Sequence, residues 1–200
     1  MPNWTDTTYK FKGTEEQAQD LKRKLDELQD SEEPRVGSDF GKMWCGCLVD
    51  ILGGKWDEVP CRGEICDHAI DGDTVTMRIE FAWSEPPAFR HFIESRYEGS
   101  KVFYTDEEPM MGIFNTNDAE GCHFHVRYVL ECEGMDTCRE EFWDIGDCSE
   151  WLKDEGIDND GTFSGMKDAI DRWNDQKEKE CGEDDDPKWI SLNQYTVIYN

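Results

Sequence analysis

The chain has 200 residues, with 21 Lys or Arg against 47 Asp or Glu, so its formal net charge at pH 7 is −26. This length suits one domain, or one domain with an elaboration, and 10 Phe, 8 Trp and 6 Tyr supply apolar material for a core. A surface this negative repels nucleic acid and anionic membranes, so we expect direct binding to neither.

The cysteines and the first residues indicate the compartment. The chain has 9 cysteines, an odd number, and no basic and apolar leader precedes Trp4. This pattern favours reduced thiols over a disulfide framework. No apolar run approaches the roughly 20 residues that cross a bilayer. We therefore expect a soluble protein that stays in the cytoplasm of the cell that makes it.

The N-terminal segment predicts a strand followed by a helix. Residues 4–12 alternate and are rich in Thr and Tyr, which is typical of a strand. Thr14, with Gln17 three residues on, forms a capping box that begins a helix. The loop at residues 31–37 ends the helix. The apolar face of this helix consists of Ala18, Leu21, Leu25 and Leu28.

The next clear elements are a strand and a helix, because residues 40–60 show no decisive periodicity. A turn at Asp71-Gly72-Asp73 precedes a strand that alternates from Val75 to Trp83. Ser84 is predicted to cap a helix that has Pro86 and Pro87 in its first turn. Short strands are predicted at residues 101–105 and 111–115.

The remaining residues predict a second group of elements. Residues 122–132 alternate as a long strand, and residues 139–145 are expected to pair with it. Ser164 is predicted to cap a helix that carries Met166 and Ile170 on its inner face. Residues 188–199 close the chain as a strand.

This order of elements defines the predicted fold. Strand, helix, two strands, helix and strand form the split βαβ arrangement of the ferredoxin-like fold, an α+β class with the helices on one face of the sheet. The later elements form a C-terminal β-β-α-β extension. We place the ferredoxin-like domain at residues 1–118 and the extension at residues 119–200, with one continuous domain as the alternative.

Three short motifs carry a family resemblance. Met1-Pro2-Asn3-Trp4, Gly54-Lys55-Trp56-Asp57 and Phe81-Ala82-Trp83-Ser84-Glu85-Pro86-Pro87 resemble, in this order, the YubB-like ferredoxin-fold proteins over about residues 1–130. The chain departs from the family at Phe81, where Thr is usual, at an inserted Glu85, and at residues 51–54, which replace Asn-Trp-Gly. The resemblance implies a ferredoxin-like fold and a plasmid or bacteriophage setting in a bacterial host. It carries over no catalytic residue.

Cysteines in the first half invite a zinc hypothesis. Cys45-x-Cys47 and Cys61-x4-Cys66, with His68, contain enough ligands for a tetrahedral site. However, neither pair has the Cys-x2-Cys spacing of a common zinc site. We favour buried or free thiols and predict no cofactor.

Two histidines are also candidates for metal binding. His123 and His125 alternate onto one face of the strand predicted at residues 122–132. No third ligand is evident, so a polar pair is favoured over a metal site.

Other patterns that carry chemistry fail on spacing or on partners. Asp158-Asn159-Asp160-Gly161 has the centre of a calcium loop, but that register puts Gly156 at position 1 and Lys167 at position 12, where a bidentate carboxylate is required. We predict a loop that leads to the next helix. No Ser or Cys has a recognisable activating partner and no phosphate-binding loop is present, so no enzyme is predicted.

Charge is therefore the feature on which a functional hypothesis rests. We expect a non-enzymatic protein of a mobile genetic element that inhibits a basic nucleic-acid-binding protein or nuclease complex of the bacterial host, of the restriction or CRISPR type, by mimicking nucleic acid. The carboxylates predicted to make the contact are Glu15, Glu16, Asp20, Asp26, Glu27, Asp30, Asp71, Asp73, Glu183, Asp184, Asp185 and Asp186.

Three alternatives remain open at this point. The first is a zinc-binding protein or a hidden enzyme that uses the Cys and His side chains. The second is an accessory interaction module of plasmid or phage biology, in which the charge is incidental. The third is that the charge serves solubility alone.

Overall fold

The computed structural model describes residues 3–37, 40–135, 139–181 and 188–199. The described chain is mixed α+β and forms two compact units, residues 1–123 with 197–200, and residues 124–196. The division follows a few residues after the boundary predicted at 118/119, and the end of the chain returns to the first unit. No helix among the described residues is long and apolar enough to cross a membrane.

The first unit contains most of the regular structure. In chain order its elements are β1 (Trp4–Lys12), α1 (Glu15–Asp30), α2 (Cys45–Ile51), β2 (Gly63–Asp71), β3 (Thr74–Ala82), α3 (Pro87–Arg96), β4 (Lys101–Glu108) and β5 (Ile113–Thr116). The elements from residue 124 on are β6 (Tyr128–Glu133), β7 (Arg139–Phe142), α4 (Ile145–Asp154), α5 (Phe163–Glu180), β8 (Trp189–Gln194) and β9 (Thr196–Val197).

The larger sheet has the strand order β2-β3-β1-β4-β5-β9. β1 lies between β3 and β4 and is antiparallel to both, and β2 and β3 form an antiparallel hairpin. Alternate residues of β1 are buried, among them Tyr9 and Phe11, as the sequence predicted. The alternation of β3 places Val75, Met77 and Ile79 in the same core.

Helix α1 follows the prediction closely. Thr14 accepts a hydrogen bond from the Gln17 amide, and the Gln17 side chain accepts one from the Thr14 amide, so the capping box is confirmed. Ala18, Leu21, Leu25 and Leu28 are buried, and α1 contacts β2, β3 and α2. The spacing of the apolar residues predicts this helix correctly because only one of its faces is apolar.

Helices α2 and α3 differ from the sequence expectations. Helix α2 lies inside the region that showed no periodicity, and its first five residues are all buried. A helix buried all round has no polar face to reveal its period. Helix α3 begins at Pro87, with Pro86 as an N-cap that makes no side-chain hydrogen bond, so the predicted Ser84 cap is wrong.

The second unit has its own sheet, in the order β7-β6-β8, and its own core. The predicted pairing of residues 139–145 with the preceding strand is confirmed by the β6/β7 ladder, although β7 ends at Phe142. The expected strand from residue 122 is wrong over its first half, because β6 begins at Tyr128. Residues 188–199 divide between β8 and β9, which belong to different sheets.

Two helices fill the rest of the second unit. Helix α4 was not predicted, and the extension therefore contains one helix more than the expected β-β-α-β order. Helix α5 is capped by Thr162 and not by Ser164. The Asp160 side chain accepts hydrogen bonds from the amide and the hydroxyl of Thr162, so residues 158–161 do form a loop that leads into this helix.

Candidate acidic interface

Half of the predicted carboxylates of α1 are neutralised by neighbouring cations. Asp20 accepts hydrogen bonds from Arg23 at 2.6 Å, from Lys24 and from the Tyr97 hydroxyl at 2.9 Å. Although burial acts to raise it, these hydrogen bonds lower the pKa of Asp20 to about 2. Asp20 therefore serves the packing of α1 and is not free to meet a partner.

This pairing predicts a pH-dependent loss of stability in the Asp20→Asn variant. At pH 7 we expect it to lower the free energy of unfolding by about 1 kcal/mol, a value reduced for solvent screening. A carboxyl whose pKa is lowered in the folded state stabilises above its unfolded pKa, and this is lost as the pH falls from 3.8 towards 2. Urea titrations of variant and wild type should therefore converge in that range. Asp30→Asn removes an acid from the last turn of α1 and breaks no ion pair with described residues, so it should lose no stability.

Asp26 and Glu27 are paired as well. Asp26 lies 2.6 Å from Lys22, and Glu27 lies 3.3 Å from Arg35. In contrast, Glu15, Glu16 and Asp30 are exposed and make no ion pair with the described residues. The surface of α1 is therefore a mixed one, and three of its six predicted contact residues remain available.

Of the two predicted carboxylates in the β2–β3 hairpin, one is paired with a cation and the other is not. Asp73 accepts a hydrogen bond from Lys12 at 2.5 Å, which lowers the pKa of Asp73, whereas Asp71 is exposed at the end of β2. The candidates at 183–186 lie outside the described residues.

Among the described residues, a long run of unpaired carboxylates lies on the second unit, and the sequence analysis did not identify it. Between positions 144 and 160 there is one lysine, Lys153, and no arginine. The carboxylates of this acidic run are exposed and make no ion pair within the described part of the chain. They are Asp144, Asp147, Glu150, Asp154, Glu155, Asp158 and Asp160.

Helix α4 orders three of these carboxylates along one face. Cys148, Ser149 and Leu152 point into the protein, and the opposite face carries the α4 stripe, which we define as Asp147, Glu150 and Asp154. Their spacing of three and four residues makes them neighbours, roughly 5–6 Å apart at Cβ. Like charges at this spacing repel each other. Asp154 in the last turn also opposes the helix dipole, whereas Asp147 in the first turn favours it.

The ends of α4 are held by short polar contacts. Asp144 caps the helix by accepting a hydrogen bond from the Gly146 amide at 2.6 Å. After the helix, Asn159 accepts a hydrogen bond from the Ser149 hydroxyl at 2.7 Å, which ties the following loop to α4. The hydrogen bonds from Thr162 lower the pKa of Asp160, so this carboxyl stays ionised. The acidic run is therefore presented on an ordered backbone.

The thiols of the zinc hypothesis lie in the first unit. Cys45, Cys47 and Cys61 are buried and Cys66 is exposed. Burial, with a smaller contribution from Cys61, raises the pKa of Cys45, and burial raises that of Cys61 to about 11. Such thiols are protonated at neutral pH, and zinc binding would have to release their protons.

The histidines do not complete a metal site either. Burial, and then the charge of Lys22, lower the pKa of His68, whose ring lies 4.0 Å from Asp26. Among the described residues no group of three or more His, Cys, Asp or Glu is arranged to hold a metal ion. His123 and His125 precede β6 and are not on a strand, and His123 stacks on Phe103 at 3.8 Å between ring centroids.

The first unit contains a buried ionic network that the sequence analysis did not predict. Arg90 donates from Nε to Glu85 Oε1 at 3.0 Å, and the Tyr9 hydroxyl donates to the same oxygen at 2.5 Å. The Glu85 amide and the Thr7 hydroxyl both donate to the Asp106 carboxyl. Arg90, Glu85 and Asp106 are all buried, so a dissolved substrate has no direct access to them. Glu85 thus anchors the β3–α3 turn to the sheet.

Comparison of the chain with protein-family models, with curated proteins and with solved structures finds no match.

Proposed function

We propose that this protein is an acidic, non-enzymatic binding protein that occupies the nucleic-acid-binding surface of a basic partner. The acidic run of the second unit carries the proposal, since its exposed carboxylates make no ion pair within the described chain. Proteins that bind B-DNA present Lys and Arg to one negative charge per roughly 1.7 Å of helix axis. A helix face with carboxylates at regular intervals offers such a surface an alternative set of anions.

The single sign of charge on the α4 stripe supports a role in binding. A chain that needed charge for solubility alone gains as much from carboxylates beside lysines, as on α1, where Lys22, Arg23 and Lys24 are interspersed with acids. The α4 stripe instead concentrates one sign of charge. Such a field steers a basic partner and accelerates association, and salt screens it.

We propose further that the partner is a nuclease or other nucleic-acid-binding protein of a bacterial host, and that this protein acts in the host cytoplasm. The proposal draws on the resemblance of residues 1–130 to the YubB-like proteins. The strand order is β2-β3-β1-β4, with α1 between β1 and β2 and α3 between β3 and β4 in the chain. This arrangement is the one expected for a ferredoxin-like split βαβ domain, so it supports the fold that the resemblance implies.

The test is capture of partners from bacterial lysate with the tagged full chain at low and at high salt, followed by identification of the bound proteins. We expect a basic nucleic-acid-binding protein that salt releases. The captured protein is then assayed for nucleic-acid binding with and without this chain, which should compete. Partners that are indifferent to salt, or capture without competition, would refute the proposal.

A further inference from the structure

Large apolar side chains are exposed together at one end of the first unit's sheet. Trp4, Trp83, Met110 and Met111 have 44, 56, 94 and 59% of their surface exposed. Trp4 lies opposite Ala82, the residue before Trp83. On the other side of β1, the ladder to β4 includes Asp6 opposite Glu107, and β4 ends one residue later, at Glu108, at the same end of the sheet. The turn Pro109–Met111 carries both methionines. We call these four side chains the Trp–Met patch.

The backbone at Trp83 is held in an uncommon conformation. Its φ of 79° is the one positive value among the non-glycine residues that the structure describes. Bulky residues in this region are rare and strained, whereas glycine adopts it freely. The Trp83 amide donates to the Asn3 carbonyl at 2.8 Å, and the Glu85 amide donates to the Asp106 carboxyl at 3.1 Å. The turn is thus fixed on both sides of an indole that is mostly in solvent.

A row of carboxylates crosses the sheet next to this patch. Glu64 lies opposite Glu80, Glu80 opposite Asp6, and Asp6 opposite Glu107. Like charges directly opposite each other in a sheet are destabilising. Arg78 contacts Asp6 at 2.6 Å, but Glu64 and Glu80 are exposed and make no ion pair with described residues. Apolar surface and unpaired negative charge are therefore adjacent.

We propose that the Trp–Met patch, with Glu64 and Glu80 beside it, is a docking surface for a basic amphipathic segment of a partner protein. Methionine is flexible and tryptophan presents a large apolar ring, so the two suit the apolar side of such a segment. Its lysines or arginines reach the unpaired carboxylates, and cations also favour the faces of exposed indoles. This surface is on the first unit, and the inference does not rest on the proposed role of the α4 stripe.

The experiment is an NMR titration of the ¹⁵N-labelled full chain with a synthetic amphipathic peptide of leucine and lysine at helical spacing. The indole resonances of Trp4 and Trp83, assigned from Trp→Phe variants, should shift and saturate. Trp83→Gly should raise the dissociation constant of the peptide about tenfold, and the double variant Glu64→Gln with Glu80→Gln should raise it about threefold. Glycine suits the backbone at this position, so Trp83→Gly keeps the turn intact, and its amide spectrum should match wild type outside this end of the sheet.

Matched controls separate this surface from the rest of the molecule. Trp189→Ala removes an equally exposed indole from the second unit, and neutralising the α4 stripe removes charge there; both variants should keep the Trp4 and Trp83 shifts. A leucine–glutamate peptide should leave these resonances unmoved. The proposal is overturned if the resonances do not respond to the basic peptide, if they respond equally to the acidic one, or if they respond only to phosphatidylcholine vesicles. Unchanged affinity in Trp83→Gly would overturn it too.

Discussion

Arg90→Ala should lower the free energy of unfolding by about 3–5 kcal/mol, as expected when one partner of a buried ion pair is removed. The Arg90 side chain is fully buried and the Glu85 side chain is 2% exposed, so no water replaces the lost hydrogen bond at 3.0 Å. Burial already raises the pKa of Glu85. Without the arginine this carboxyl gains a proton on folding. Urea denaturation monitored by circular dichroism measures the loss.

The same reasoning gives the sign of the pH dependence. A carboxyl whose pKa is raised in the folded state contributes stability that is present below its unfolded pKa and lost as the pH rises. The deficit of Arg90→Ala should therefore be smaller at pH 4 than at pH 7. Arg96→Ala is the control from the same helix, because Arg96 is exposed and lies 4.5 Å above the Phe92 ring. We expect it to cost less than about 1 kcal/mol.

A double variant distinguishes the ion pair from simple packing. Replacing Glu85 with Gln and Arg90 with Met removes both charges and keeps an acceptor for the Tyr9 hydroxyl, so part of the lost stability should return. If the stability of Arg90→Ala remains within about 1 kcal/mol of wild type, the result would contradict the burial of the Arg90–Glu85 pair.

Neutralising the α4 stripe should slow association with the captured partner. We expect Asp147→Asn, Glu150→Gln and Asp154→Asn together to lower the association rate constant about tenfold at low salt, because steering depends on the local field. Dissociation should change less. Surface plasmon resonance over a series of salt concentrations measures both rates, and the difference from wild type should shrink as salt screens the charges.

The matched control carries the same change in charge on the first unit. Glu15→Gln, Glu16→Gln and Asp30→Asn remove three exposed carboxylates of α1 that make no ion pair with described residues. This variant should associate at close to the wild-type rate. Equal slowing by both variants would show that net charge, and not the α4 stripe, controls the encounter. Slowing by the α1 variant alone would place the contact on α1.

Some elements could be predicted because their signals are local. The capping box of Thr14 and Gln17 and the apolar residues of α1 lie within a few turns of one helix, and the alternation of β3 is contained in one strand. The loop that Asp160 ties to Thr162 is local as well. Helix α2 was not predictable in this way, because five of its seven residues are buried and the helix is too short to show a repeating polar face.

The residues of the candidate interface were harder to predict, because they depend more on the tertiary structure. The sequence alone determined that the chain is strongly acidic, has core material for a mixed α+β fold, and carries no recognisable catalytic motif. It did not determine which carboxylates stay unpaired. Pairs within α1, such as Asp20 with Lys24, join residues three or four positions apart, whereas Lys12 reaches Asp73 from 61 positions away. For such distant pairs the fold brings the cation within a few ångströms of the carboxylate, and only the tertiary structure decides that distance.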